Sequence, residues 1–273
     1  MPRRINRPAF PLSQFVELIW WMTSGETPSS RQLVCPDGTM ELVIHLKERR
    51  LHFFERDGKR HSIRVPLLAG PYSRSFYIDP SEFSAVIGIR FHPGAARMVF
   101  PVAAYALHNT DIPLAELYPE EADRLLNELC SASGERSQVL VIERFLQRRL
   151  ANAAPLHPAI RYAVKQLSQD GAATVRDIQS DLGLSHTRFI QLFREHVGLT
   201  PKLFCRVRRF RNMLSRIEKG MPVNWADLAA DCGYFDQAHL IRDFRAFAGV
   251  TPVEYNRTIP DSEGKLAAKS NAS

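Results

Sequence analysis

Two short segments in the C-terminal third of the sequence carry side chains that suit contact with the edges of nucleic-acid bases. The Gln191 amide can pair with adenine through two hydrogen bonds, and the Arg242 guanidinium can do the same with guanine. Side chains that can contact thymine methyl groups stand beside them, at Thr187, Ile190, Ala238 and Ile241. These residue types predict base-specific contacts, provided that each segment lies on an exposed face of a helix.

Basic residues near both segments suit the phosphate backbone, which fixes position without reading sequence. Three of them flank the base-contacting positions: Arg188, Arg194 and Arg245. A denser cluster follows the first segment, at Lys202, Arg206, Arg208, Arg209 and Arg211. The cluster is either a solvated face, which is the usual role of such a run, or a further set of phosphate contacts. The net charge of +7 favours an anionic partner, with nucleic acid ahead of an acidic membrane surface.

The two segments belong to an internal repeat. The pattern D-I/L-x-x-D-x-G occurs at 177–183 and again at 227–233, and F-R-x-x-x-G-x-T-P occurs at 193–201 and 244–252. Each unit therefore consists of a short helix, a glycine turn and a second helix that begins at a polar residue. This is the plan of a helix-turn-helix.

Helical spacing predicts which face of each second helix is buried. Apolar residues recur three and four positions apart on the inward face, at Phe189, Leu192, Phe193, Leu240 and Phe244, and the base-contacting positions lie on the opposite face. Residues 201 to about 217 predict one continuous connecting helix, and Thr174 with Asp177 predicts a capped helix start. Such a pair of units can read major-groove segments roughly 34 Å apart. The alternative is a helical bundle for protein contact, in which both glycines are ordinary loops.

These residues resemble the DNA-binding domain of the AraC/XylS transcription regulators. The similarity lies in SHTRFIQLFR at 185–194, GLTP at 198–201, GYFDQAHLIRDF at 233–244 and GVTP at 249–252. It covers about 100 residues. First units of the family often carry arginine where Thr187 and Gln191 stand, so this chain departs from the pattern there.

The resemblance implies a sequence-specific transcription regulator and a set of contact residues. Base contacts fall on the outward faces, at Thr187, Ile190, Gln191, Ala238, His239 and Arg242. The candidate phosphate contacts are Arg188, Arg194, Lys202, Arg206, Arg208, Arg209 and Arg245. Double-stranded promoter DNA is the expected partner. Activation through contact with RNA polymerase is the commonest behaviour of the family, and repression is the alternative.

The N-terminal part reads as short antiparallel strands. Apolar runs between residues 33 and 91 alternate with turn sequences such as Pro36-Asp37-Gly38 and Arg56-Asp57-Gly58, which predicts a sandwich or small barrel. The region is also similar to a domain that accompanies some AraC/XylS regulators. The resemblance implies a cupin-like effector or dimerisation domain, with an unknown small-molecule effector and a homodimer as expected partners.

Cupin-like folds often bind metal, so possible ligands in this region need an assessment. The candidates are Glu41, His45, His52, His61 and His92, and their spacing does not reproduce a compact metal-binding set. We therefore predict no metal and no cofactor.

Cys35 is interpreted as a small buried residue, and the alternative is a redox sensor or an acceptor of alkyl groups. Motifs of a nucleophile elbow or a phosphate loop do not occur in the sequence, so no enzymatic activity is predicted. The second hypothesis is an enzyme fused to a DNA-binding module, with the catalytic step in the β-rich domain.

The overall expectation is an α+β protein with a β-rich, cupin-like N-terminal domain and an all-α C-terminal domain of two helix-turn-helix units joined by a long helix. The predicted divisions are a sensor domain over 1–112, a helical connector over 113–154, a DNA-binding domain over 155–258 and a disordered tail over 259–273. Widely spaced cysteines and the lack of a long apolar run predict a cytoplasmic, nucleoid-associated protein without a membrane partner.

Overall fold

The computed structural model describes residues 3–23, 31–83, 85–151, 153–169, 174–218 and 224–258. Strands fill the N-terminal part of these residues, and every strand pairing is antiparallel. The strands are β1 (Arg3–Asn6), β2 (Val16–Thr23), β3 (Gln32–Val34), β4 (Glu41–His45), β5 (Arg50–Phe54), β6 (Arg60–Arg64), β7 (Leu67–Ala69), β8 (Phe76–Ile78), β9 (Ala85–Phe91) and β10 (Asp111–Pro113). They form a six-stranded sheet in the order β1-β2-β9-β4-β7-β10 and a four-stranded sheet in the order β3-β8-β5-β6. The predicted β-rich domain is confirmed.

The six-stranded sheet is covered on both faces, because successive side chains of a strand point to opposite sides. Along β2, Ile19 and Trp21 pack with the helices that follow the sheet, whereas Trp20 and Met22 pack with Leu51 of the other sheet. The molecule here has three layers, with helices outside, the six-stranded sheet in the middle and the four-stranded sheet on the far side.

Four helices follow β9, the first of them before β10: α1 (Ala96–Val99), α2 (Leu114–Leu117), α3 (Pro119–Ser131) and α4 (Gly134–Leu150). Their buried residues, such as Leu125, Ile142 and Phe145, share one core with Leu42 and Ile89 of the sheet. The segment predicted as a connector is therefore helical, and its helices bury their apolar faces against the strands. The domain divisions at 112, 154 and 258 stay a prediction, and the predicted tail over 259–273 lies outside the described residues.

The C-terminal part of the described chain is helical: α5 (Pro158–Leu167), α6 (Val175–Asp181), α7 (His186–Val197), α8 (Pro201–Ile217), α9 (Trp225–Asp231), α10 (Gln237–Ala248) and α11 (Pro252–Thr258). The predicted cap is confirmed, since Thr174 and Asp177 form a reciprocal capping box at the start of α6. The turns α6–α7 and α9–α10 hold Gly183 and Gly233 at φ of 60° and 71°, a left-handed conformation that glycine adopts without strain. Two helix-turn-helix units joined by the single helix α8 are thus confirmed.

Specific contacts join the helical part to the β-rich part. The Arg56 guanidinium donates to the carbonyl oxygens of Ala246 and Phe247 at the C-terminal end of α10, at 2.9 and 2.5 Å. The Ser75 hydroxyl donates to the Ala248 carbonyl at 2.8 Å. The positive charge of Arg56 also suits the negative end of the helix dipole. The end of α10 is therefore capped by the other domain.

A second set of contacts holds the end of α7. Arg97 of α1 pairs with Glu195, and the Arg194 guanidinium lies 5.6 Å from the centre of the Tyr105 ring. The C-terminal ends of α7 and α10 therefore both contact the β-rich part.

No described helix is long and apolar enough to cross a membrane.

Candidate nucleic-acid interface and cavity

The first candidate reading helix, α7, begins at Ser185, whose hydroxyl accepts from the Arg188 backbone amide at 3.3 Å. Its inward face is buried as predicted, with Phe189, Leu192 and Phe193 between 0 and 4% exposed. The opposite face leaves four predicted contact residues exposed, namely Thr187, Arg188, Gln191 and Arg194, and Ile190 is half-buried. The helix therefore presents a polar surface next to its N-terminus.

The second candidate reading helix, α10, begins at Asp236, whose carboxylate accepts from the His239 backbone amide at 2.6 Å. Leu240 and Phe244 are fully buried. Three predicted contact residues are exposed on the outer face: Ala238, Arg242 and Arg245.

One residue of α10, Ile241, lies differently from the expectation. Ile241 was expected to face outward, and instead it is half-buried and packs against the core of the helical part, because it lies three positions before Phe244 on the same row of side chains. The His239 ring is half-buried beside Tyr234, with ring centres 5.2 Å apart, and its Nε2 atom lies 4.0 Å from Asp243. Arg242 is thus the most accessible hydrogen-bonding side chain at the predicted base-reading positions of α10.

The basic cluster of α8 is not one uniform surface. Arg206 donates to Asp243 of α10 at 2.7 Å, and that carboxylate is only 4% exposed, so this pair fixes α10 against α8. The Arg209 guanidinium lies 5.1 Å from the centre of the Tyr234 ring. Arg208 is half-buried, and its Nε atom has no hydrogen-bond partner within the part of the chain that the structure describes.

These cations share one groove nevertheless. Lys202, Arg206, Arg208 and Arg209 line it together with Gly233 of the second turn. Thr174, which caps the first helix of unit one, also lines it, as do Glu17, Asp37 and Arg90 of the β-rich part. The groove therefore borders both units and the β-rich part.

A further cavity of about 350 Å³ lies between the two sheets, and it shares Asp37, Thr39, Arg90 and Arg211 with the groove. Aromatic and aliphatic side chains make most of its wall, including Trp20, Leu51, Phe53, Phe76 and Ile78. Three residues of the helical part also line it: Arg211 and Glu218, from α8 and its end, and Tyr255 of α11. Both parts of the molecule thus enclose one space, and its size falls in the range of small-molecule sites.

A network of charged groups lies at one side of this cavity. The Arg90 guanidinium donates to Glu41 at 2.5 Å and contacts Asp37 at 3.1 Å, and the Trp20 indole donates to the other oxygen of Glu41 at 3.1 Å. Burial opposes the ionisation of Asp37, but the charge of Arg90 and hydrogen bonds from Thr39 outweigh it and lower the pKa of this carboxyl. The network is an ion pair held inside the fold.

Another carboxylate, Asp111 of β10, faces the same cavity. Burial raises its pKa to about 6, against hydrogen bonds that lower it, the first of them from Tyr72. The Oδ1 atom is buried and has no hydrogen-bond partner within the described ranges. A buried acceptor of this kind is costly unless another molecule satisfies it.

Comparison with known proteins matches two domain families. Residues 4–113 match a domain of unknown function, DUF6597, and residues 178–258 match a helix-turn-helix domain. A relative described as an uncharacterized HTH-type transcriptional regulator of Haemophilus influenzae is 23% identical over 158 residues, which cover 54% of this chain. The chain spans about half of that relative, 52% of its length.

The helical part of the chain therefore carries a helix-turn-helix domain over residues 178–258.

Solved structures of ToxT from Vibrio cholerae are similar to this chain only in outline. The alignment with one ToxT structure covers 84% of this chain and 95% of the ToxT chain, with a TM-score of 0.42 and 11% sequence identity. Another, from Vibrio cholerae O395, covers 91% of this chain and 98% of its own, with a TM-score of 0.43 and 11% identity. A further ToxT structure is described as bound to an unsaturated fatty acid, which is a statement about ToxT.

The side chains considered as metal ligands are each engaged by other groups of the fold. Glu41 belongs to the Arg90 network, His52 pairs with Glu82 at 2.7 Å, and His61 pairs with Glu55 at 2.8 Å. His45 bonds the Glu82 backbone carbonyl at 2.9 Å, and His92 bonds the Ser13 carbonyl at 3.2 Å. Among the described residues, no three histidine, cysteine, aspartate or glutamate side chains are grouped so that they could hold a metal ion.

Cys35 lines the cavity, and burial raises the pKa of its thiol to about 12. The thiol is therefore protonated at neutral pH, which disfavours the sensor role because the thiolate is the reactive form.

Sequence reasoning missed the residues that define the cavity, above all Trp20, Arg90 and Asp111. A signal for Arg90 was present: it interrupts the apolar run of β9, and Glu41, weighed above as a metal ligand, begins the apolar run of β4. Paired charges inside apolar strands indicate an internal ion pair. Asp111 has no such signal, because β10 is only three residues long.

Proposed function

We propose that this protein is a sequence-specific transcription regulator that reads two successive major-groove segments of promoter DNA with α7 and α10. The observation that carries the proposal is the pair of exposed polar faces on the second helix of each unit, joined by one rigid helix. A major groove admits an α-helix, and the side chains on both faces match base edges. The base contacts are Thr187, Ile190, Gln191, Ala238, His239 and Arg242.

The phosphate contacts follow from the same docking. Arginines on the two reading helices flank the base contacts, and the cations of the α8 groove lie between the units. The proposed set is Arg188, Arg194, Lys202, Arg206, Arg208, Arg209 and Arg245. Guanidinium and ammonium groups that lie near the backbone release counterions, so binding should weaken steeply with salt.

The regulatory part of the proposal concerns the cavity between the sheets. A small-molecule effector bound there would touch Arg211, Glu218 and Tyr255 of the DNA-binding part, and its presence would alter how the two parts pack. We propose activation through RNA polymerase as the output, a cytoplasmic, nucleoid-associated location, and a homodimer formed through the N-terminal part.

The decisive experiment is a binding-site selection from random duplex DNA with the full chain, followed by titration of the selected site at several salt concentrations. The proposal expects two conserved blocks about one helical turn apart and a linear fall of log affinity with log salt. Binding that is weak, insensitive to salt and without a consensus would favour the alternative in which the helical repeat contacts another protein.

Arg242→Ala is expected to weaken binding to the selected site by about 1–3 kcal/mol and to relax preference at one base pair, because a bidentate guanine contact is lost. Fluorescence anisotropy and a repeated selection measure both effects. Arg245→Ala on the same helix is the matched control, since loss of a phosphate contact should weaken all sequences alike. An unchanged consensus for Arg242→Ala would remove this residue from the base contacts.

Arg208→Ala is expected to weaken binding to every sequence and to reduce the salt slope by roughly 0.9, which is the contribution of one phosphate contact. Titrations between low and moderate salt measure the slope. Arg136→Ala, an exposed arginine at the start of α4, provides a control that removes the same charge from the β-rich part. A slope equal to that of the control would show that Arg208 does not contact phosphate.

A further inference from the structure

The interior face of the six-stranded sheet carries a row of paired residues that crosses four strands. The register places Asp111 opposite Ala69, Ala69 opposite Glu41, and Glu41 opposite Arg90. Directly opposed residues of antiparallel strands share a face, so all four side chains point into the cavity. Strands lie about 4.8 Å apart, which places the backbones of Asp111 and Glu41 roughly 10 Å from each other.

The small side chain of Ala69 leaves open space between the two carboxylates. Glu41 is already engaged by Arg90 and by the Trp20 indole. Asp111 still has its unpartnered, buried Oδ1 atom. The free hydrogen-bonding capacity at this place is therefore that of an acceptor.

The charges around the cavity point the same way. Among its described lining residues, four carboxylates (Asp37, Glu41, Asp111 and Glu218) face two guanidinium groups (Arg90 and Arg211). Glu41 and Asp37 pair with Arg90. Arg211 and Glu218 line the cavity from α8 and its end, so the carboxylate of Glu218 offsets the charge of Arg211. An excess of two formal negative charges remains in a partly apolar space, where an uncompensated charge is costly.

The opposite wall is apolar and aromatic. The rings of Phe53 and Phe76 meet edge to face with their centres 5.7 Å apart, and Leu51 and Ile78 lie beside them. Trp20 completes the wall from the sheet side. Aromatic faces attract cations and also provide apolar surface for a ring or an alkyl chain.

We propose that the effector is a small organic cation, an ammonium group on an apolar or aromatic body, whose N–H groups bind Asp111 and Glu41 above Ala69. The body lies against Phe53, Phe76 and Trp20. This inference rests on the proposed effector role of the cavity and names the ligand class for it.

The test is isothermal titration calorimetry of the full chain at pH 7.5 with three probes of similar shape: 2-phenylethylammonium, 2-phenylethanol and 3-phenylpropanoate. The ammonium probe should bind at least about tenfold more tightly than the alcohol, because a hydrogen bond from a charged donor to a carboxylate is stronger than one from a neutral donor. The carboxylate probe should bind most weakly. A carboxylate that binds as tightly as the ammonium, or an ammonium that does not bind, would overturn the ligand class.

Variants connect the preference to the site. Asp111→Asn should reduce ammonium affinity about tenfold and change alcohol affinity by less than about threefold. Glu120→Gln, which removes an exposed carboxylate of α3 outside the cavity, should change neither. Equal effects of the two variants on the ammonium probe would contradict the role of Asp111.

Ala69→Leu fills the space between the carboxylates and should abolish binding of every probe, with the melting temperature showing that the variant is folded. If probes bind and Ala69→Leu blocks them, but the ammonium is not preferred, the effector cavity stands and the ligand class falls. If Ala69→Leu leaves probe binding unchanged, the probes bind elsewhere and the cavity assignment falls as well. DNA affinity, measured separately by anisotropy, decides the DNA-binding proposal independently of both.

Discussion

Gly198→Ala is expected to separate the DNA-binding part from the β-rich part while both remain folded. Gly198 ends α7 at a φ of 85°, and a methyl group there would lie 2.4 Å from the Pro71 side chain and 2.8 Å from the Ala104 backbone oxygen. The left-handed conformation costs an alanine about 1–2 kcal/mol, and the clash with fixed backbone adds to this cost. The clash is relieved at least cost if the end of α7 moves away from Pro71 and Ala104 of the β-rich part.

Differential scanning calorimetry is then expected to show two transitions for the variant and one for the original chain. Limited proteolysis should cut the variant more rapidly between α4 and α5. Gly183→Ala is a close control, because Gly183 also has a positive φ of 60° but no atom lies within 4 Å of the added methyl group. It should lower stability by about 1–2 kcal/mol with the parts still joined. Identical melting and cleavage of both variants would contradict a steric role for Gly198.

Phe210→Ala is expected to cost about 3–5 kcal/mol of unfolding free energy and to weaken the second half of the DNA site selectively. Phe210 of α8 is fully buried, and its ring centre lies 5.4 Å from that of Phe244 and 5.2 Å from that of Phe247. Both neighbours belong to α10. The substitution leaves a cavity between the connecting helix and the second reading helix, so the position of α10 is no longer fixed.

Phe204→Ala provides the matched comparison, since Phe204 is an equally buried residue of α8 whose ring lies 5.6 Å from that of Phe193 in α7. Urea unfolding should show losses of similar size for the two variants. Footprinting should show loss over opposite half-sites, with Phe204→Ala affecting the first. Loss of the same half-site in both variants would mean that α8 does not hold the two reading helices separately.

The helical half of the fold was predictable because its determinants are local. The spacing of Phe189, Leu192 and Phe193 already defines a buried face, and the repeat shows that α10 has the same plan. Ile241 marks the limit of this reasoning: helical geometry places it near the border of the two faces, and only the packing of α10 against its neighbours decides that it is half-buried.

The cavity was not predictable in the same way, because its determinants are nonlocal. Asp111 and Glu41 face each other across Ala69 only once β4, β7 and β10 are paired in one register. A shift of one residue would turn each of these side chains to the opposite face of the sheet. Alternation along a single strand indicates two faces but does not determine which residues of distant strands meet.

The cavity wall has a thermodynamic consequence for the proposed regulation, because Arg211, Glu218 and Tyr255 are supplied by the helical part. If a compound in that space changes how the helical part packs, as proposed, its binding and the binding of DNA to α7 and α10 are linked equilibria. If the compound changes the affinity for DNA by a given factor, bound DNA changes the affinity for the compound by the same factor. A cell that presents more promoter copies would therefore also change how strongly the protein retains its signal.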